Sequence, residues 1–240
     1  MVRVLRLRWQ SLKLLAAFGV AVLATINLMV AEYPITDGIE KADLTVLAGK
    51  VIVVDPGHGG IDSGAKYSGL EEKDIVLSLS LKLGELLRQY GATVIFTRES
   101  DVDYYTRGRG GKRNDLLYRV DLINKSGANL YISIHTNAIA GSRWSGAEVY
   151  YNSRLAENKK LAEIMQLALQ GFPPGNKRQA KQDSNILVLK DTSIPGILVE
   201  AGFLSNPQEA AMLADGAYQQ KIAEHIARAL AYHFSSNVAR

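Results

Sequence analysis

Residues 51–60 read VIVVDPGHGG: four β-branched residues, then an acid, a proline and a histidine set among glycines. An unbroken apolar run of this length suits a strand covered on both faces, as in a parallel sheet. The strand is expected over Val51–Asp55, and the glycines after it let the backbone turn sharply so that His58 can point into a cleft. Outward from this stretch, Ile75, Val76, Leu79, Leu83, Leu86 and Leu87 recur at helical spacing, with Gly91 at a C-cap position. The β-branched run ATVIFT (92–97) then completes a βαβ unit, expected to be parallel and right-handed.

The stretch ESDVDYYTRGRGGKRNDL (99–116) has no periodicity and reads as a long surface loop. Leu116, Leu117, Val120 and Ile123 mark the next helix, closed by Gly127, and LYISIH (130–135) is the third strand. Further strands are expected at Ala147–Tyr151, Ile186–Leu189 and Gly196–Glu200, with a helix carrying Leu161, Ile164, Met165, Ala168 and Leu169 and a polar loop at Gly171–Lys181. In SNPQEAAML, Asn206 suits an N-cap, Pro207 the first helical position and Glu209 the third position of a capping box. A last helix shows Tyr218, Ile222, Ile226 and Leu230 on one face. The alternation βαβαβ predicts an α/β fold, a single mostly parallel sheet flanked by helices over residues 50–236, with 32–49 as a linker.

The chain has 240 residues, 47% hydrophobic and 22% charged, which is ordinary for one globular domain. Its formal charge of +4 is mild and spread along the chain, which disfavours nucleic acid and suits a polyanionic polymer. With no cysteine, thiol catalysis, disulfides and thiolate metal sites are excluded, and any metal must be held by nitrogen and oxygen. Arg3, Arg6, Arg8 and Lys13 precede an apolar run from Leu14 to Ala31, so residues 1–31 read as an export segment, either a signal peptide or an uncleaved membrane anchor. Both place the remainder outside the cytoplasmic membrane.

His58 and His135 each follow an apolar strand. Carboxyl ends of strands in an open α/β sheet are where ligands collect, so the two could share a site. Two imidazoles and a carboxylate form the His-His-Glu set of a catalytic zinc centre with a fourth position for water. GLEEKD supplies the carboxylate from Glu71 or Glu72, and spacing does not choose between them. Glu200 ends the buried run ILVE, where a charge is costly without a partner; it could accept a proton from an activated water and pass it to a leaving amine. Arg98, ending a strand, is a candidate either for a substrate carboxylate or for an ordinary salt bridge, and Asn137 for orienting ligand or substrate. Arg119, on a helix, reads as structural, and His225 and His233 as surface or packing residues. No G-x-S-x-G nucleophile elbow is present.

The motifs VDPGHGGIDSGA, GLEEKDIVLSLS, TRESD, LYISIHTNA and ILVEAGFLSN, in this order, resemble the zinc-dependent N-acetylmuramoyl-L-alanine amidase family often called amidase 3. The resemblance runs from about Val51 to the last helix. It implies a six-stranded sheet with the zinc site at strand carboxyl ends, and hydrolysis of the amide between muramic acid and the first L-alanine of the stem peptide. It also implies metal ligation by His58, Glu72 and His135 and catalysis by Glu200, selecting Glu72 over Glu71. Within the family, the bare domain behind an apolar segment, the arginine/glycine-rich insertion and RWSGAEVYY resemble germination-specific amidases of spore formers. Those remove stem peptides from cortex peptidoglycan so that muramic δ-lactam can form. The partners implied are peptidoglycan and an activating protein of open identity, with the membrane added if the leader is retained. The alternatives are a vegetative wall amidase, or a zinc peptidase acting on stem peptides.

Overall fold

The apolar runs at 51–54, 130–134 and 196–199 become the three central strands of one sheet, which is why they show so little polar alternation. The computed structural model describes residues 9–105 and 111–238, with side chains except those of 9–12, 23–34 and 237–238. In chain order the elements are α1 (Trp9–Glu40), β1 (Val51–Pro56), β2 (Lys66–Tyr67), β3 (Leu70–Glu71), α2 (Glu72–Gln89), β4 (Thr93–Phe96), α3 (Lys112–Lys125) and β5 (Leu130–Asn137). They continue as β6 (Glu148–Tyr151), α4 (Ala156–Ala168), β7 (Lys181–Gln182), α5 (Leu187–Asp191), β8 (Gly196–Phe203), α6 (Pro207–Ala214) and α7 (Gly216–Val238).

The main sheet has the order β4-β1-β5-β8-β6-β7. All its neighbours pair in parallel except β6 and β8, which are antiparallel. On one side α2 packs against α7, with Val76, Leu79, Leu83, Ile222, Ile226 and Leu230 all buried; each such side chain contributes about 1.5–3 kcal/mol. On the other, Ile123 of α3 and Val188 and Leu189 of α5 close over Val53, Tyr131 and Leu198.

Two expectations need correction, and the linker gains detail. Ile186–Leu189 is not a strand: Asp183 Oδ1 accepts the backbone N–H groups of Asn185 (2.6 Å) and Ile186 (3.0 Å), starting the short helix α5. A four-residue apolar run carries too little periodicity to tell the two apart, and the sixth strand is β7 instead. Part of the expected linker is ordered, because α1 continues to Glu40 and Asp43 caps a 3-10 turn at Leu44–Leu47 whose Leu47 is buried against α7. The 99–116 stretch ends earlier than expected, since α3 begins at Lys112; residues 106–110 of it lie outside the described residues.

The chain divides into two compact units, residues 1–38 and 39–240. In the first, Leu14, Leu15, Phe18, Val20 and Val22 are exposed. Among the described residues no helix is long and apolar enough to cross a membrane. Arg3, Arg6, Arg8 and the side chains of 23–31 in the expected export segment lie outside the described residues.

Candidate active site

Parallel register brings three separate stretches to one end of the sheet. Pro56 pairs with Ile134 and His135 with Glu200, so His58, His135 and Glu200 emerge at the carboxyl ends of adjacent strands β1, β5 and β8. The small hairpin β2–β3 then delivers the start of α2 to the same place. Glu72, in the first turn of α2, is buried, and its Oε1 lies 3.1 Å from His58 Nε2 and 3.1 Å from His135 Nδ1. Its orientation is fixed by two backbone donors, Thr136 N–H to Oε1 (2.9 Å) and Ala65 N–H to Oε2 (2.8 Å). Glu71, the other candidate, turns outward to Lys66 (2.5 Å) and Lys73 (3.6 Å).

The glycines of the first motif have a steric role. A Cβ on Gly57 would overlap the His135 ring, and one on Gly64 would overlap Glu72 and His58. His58 itself has φ +58°, a conformation costing an L-residue roughly 1–2 kcal/mol. Two buried arginines hold it there. Arg119 donates to the carbonyls of His58 (2.5 Å) and Pro56 (2.7 Å) and to Asp55 (2.9 Å) and Asp115 (2.8 Å). Arg98 donates to the carbonyls of Pro56 (3.0 Å), Gly57 (2.7 Å), Lys73 (2.8 Å) and Ser100 (3.1 Å).

The electrostatics separate the acids. Burial alone would raise the Glu72 pKa, but hydrogen bonds and charge from His135 and His58 hold it well below the usual carboxylate range. Conversely, burial would lower the pKa of His135, and Glu72 raises it instead. For Glu200 burial outweighs the opposing charge of His135 and His58 and pushes the carboxyl up to about 7, and its Oε2 has no hydrogen-bond partner among the described residues. Opposite it on β6, Glu148 is paired with Arg178 (3.1 Å) and accepts the Tyr150 hydroxyl (2.7 Å).

Ligand atoms of His58, Glu72 and His135 all lie within 4.8 Å of one another, so these residues could hold a metal ion. Two imidazoles with one carboxylate, and an unpartnered carboxylate oxygen on the neighbouring strand, fit the donor set and proton acceptor of a hydrolytic zinc centre.

The sequence profile of the amidase 3 family, described as N-acetylmuramoyl-L-alanine amidase, matches residues 52–232. The chain belongs to the N-acetylmuramoyl-L-alanine amidase family. Over 193 residues it is 44% identical to the germination-specific N-acetylmuramoyl-L-alanine amidase of Bacillus subtilis, covering 79% of this chain and 81% of that one. It is 33% identical to the probable cell wall amidase LytH of Staphylococcus aureus, covering 79% of this chain and 60% of the relative. Among solved structures, the CwlD amidase of Clostridioides difficile, in complex with the GerS lipoprotein, is 38% identical with a TM-score of 0.75, covering 78% of this chain and all of that one. Membership makes this an amide-hydrolysing enzyme whose substrate is peptidoglycan.

Arg98, Glu209 and the presumed surface loop of this amidase depart from the sequence reading. Arg98, a candidate for a substrate carboxylate or a salt bridge, is 3% exposed, and the bonds just described commit its guanidinium to backbone carbonyls of the protein. Asn137 ends β5, half-buried, with its carbonyl accepting the Leu204 N–H (2.7 Å). Glu209 does not close a capping box. Asn206 caps α6 through Gln208 (3.0 Å) and Glu209 (3.3 Å), while the Glu209 carboxylate takes the N–H groups of Gly146 and Phe203, both at 2.6 Å. The presumed surface loop also grips the His58 turn, since Asp101 accepts from Gly60 N–H (2.7 Å) and Asp103 from Ile61 N–H (2.8 Å). The signal for this grip was the pair of acids in SDVD, Asp101 and Asp103, which composition alone does not assign to partners.

Proposed function

We propose that this amidase acts on spore cortex peptidoglycan, holding zinc through His58, Glu72 and His135 and moving the proton through Glu200. The observation that carries the catalytic part is the buried, unpartnered Oε2 of Glu200 on the strand beside His135. When bound, zinc would supply Lewis acidity to the water and the scissile carbonyl. Glu200 accepts the proton of the attacking water as its oxygen bonds to the lactyl carbon, then delivers it to the alanine nitrogen as the C–N bond breaks. A carboxyl pushed up to about 7 suits both halves of that transfer near neutral pH.

The cortex assignment is supported by the 44% identity to the germination-specific Bacillus subtilis enzyme. A protein partner belongs to the same reading, because the CwlD structure is a complex with a lipoprotein. The N-terminal basic and apolar segment would carry the enzyme to the outer face of the cytoplasmic membrane. Metal analysis of the purified chain, combined with mass spectrometry of digested cortex muropeptides, tests the assignment. Intact stem peptides with a free N-terminal alanine are expected, whereas release of single amino acids would mean a peptidase. Glu200→Gln is expected to keep zinc and lose about 10²–10⁴-fold in turnover; near-normal turnover would remove Glu200 from this role.

A further inference from the structure

We infer that Asp62 is a positioning residue that fixes the His58 imidazole with Nε2 turned to the metal, and that zinc affinity therefore depends on it. The inference rests on the metal reading above. Asp62 Oδ2 lies 2.9 Å from His58 Nδ1. An ionised carboxylate can only accept, so Nδ1 must carry the proton. The lone pair is then left on Nε2, the nitrogen already 3.1 Å from Glu72 Oε1.

Asp62 is itself aimed. Its backbone pairs with Gly59 in both directions, at 2.9 and 3.0 Å, closing the turn that carries His58. Its second oxygen accepts from Lys112 Nζ (2.6 Å), at the start of α3, and from Gly64 N–H (3.4 Å). The two histidines thus differ in the partner of Nδ1. His135 stands on a central strand with its ring packed against the bare Cα of Gly57, and its Nδ1 faces Glu72. His58 sits on a turn with a positive φ, its ring against the bare Cα of Gly64 and edge-on to His135, with no strand backbone beneath it. Packing limits the tilt of that ring, and the hydrogen bond from Asp62 within the turn fixes which nitrogen faces the metal.

The test uses the full chain, with zinc affinity measured by competition with a chromophoric chelator. Asp62→Ala is expected to bind zinc about 10- to 100-fold more weakly. In long-range ¹H–¹⁵N spectra of the zinc-loaded protein, the slowly exchanging Nδ1–H of His58 should be lost while His135 signals stay in place. Asp62→Asn retains an oxygen that accepts from Nδ1–H and should recover part of both; if Asp62→Ala does not fold, this variant carries the test, with a loss of about 3- to 10-fold. Wild-type affinity in Asp62→Ala, or in Asp62→Asn where only that variant folds, together with an unchanged His58 signal overturns the inference and leaves the metal reading standing. An unaltered chain that binds no zinc overturns both.

Discussion

Replacing Arg119 by methionine removes the side chain that neutralises two buried acids near the site while roughly keeping its length. Arg119 is 2% exposed and neutralises Asp55, which is also 2% exposed, at 2.9 Å, and Asp115 at 2.8 Å. An exposed pair would be worth at most about 1 kcal/mol. Here burial decides the magnitude: deleting one partner of a buried pair costs about 3–5 kcal/mol, because the remaining charge has no solvent to return to. For a unit of this size each kcal/mol is roughly 2–4 °C, so melting in the presence of EDTA should fall by about 6–20 °C. The pH dependence carries a sign that checks the cause. Burial would raise the Asp55 pKa, but Arg119, with the Ser133 and Thr97 hydroxyls, holds it below the usual carboxylate range. Its stabilising contribution is therefore present above the unfolded carboxyl value of about 3.9 and is lost as pH falls through the lower folded value. Without Arg119 the carboxyl takes up its proton more readily, so the gap between variant and parent should narrow in acid. Circular dichroism melts of both proteins between pH 7 and pH 3 measure this. A fall of less than about 1 kcal/mol at pH 7, or a gap that widens in acid, would refute the reasoning.

Other substitutions probe the remaining supports. Gly57→Ala places a methyl in the His135 ring; overpacking of about 1–3 kcal/mol converts, at 1.4 kcal/mol per tenfold, to zinc binding roughly 5- to 150-fold weaker, and parental affinity in a chelator competition would contradict the steric role. Glu209→Ala strips the acceptor from the Gly146 and Phe203 N–H groups and should cost about 2–6 kcal/mol, read by urea unfolding. A loss below about 0.5 kcal/mol would show that these donors find other acceptors.

Sequence alone determined the alternation of strands and helices and the ends at which chemistry collects, because burial on both faces demands unbroken apolar runs such as VIVV and LYISI. It also put His58, His135 and Glu200 at those ends, since a polar residue closing such a run is costly unless it is used. The β assignment of Ile186–Leu189 failed because four apolar residues fit a short helix equally well, and only the Asp183 turn decides. What tertiary structure decided was partnership. Spacing left Glu71 and Glu72 equivalent; the hairpin and the Thr136 and Ala65 amides turn Glu72 inward and leave Glu71 to Lys66. Sequence made Arg98 a candidate for substrate and Arg119 structural, and the fold buried both around the carbonyls of residues 56–58. Local pattern specifies which backbone conformation a segment can bury, but hydrogen bonds between residues 40 to 80 positions apart exist only after the sheet has set their register.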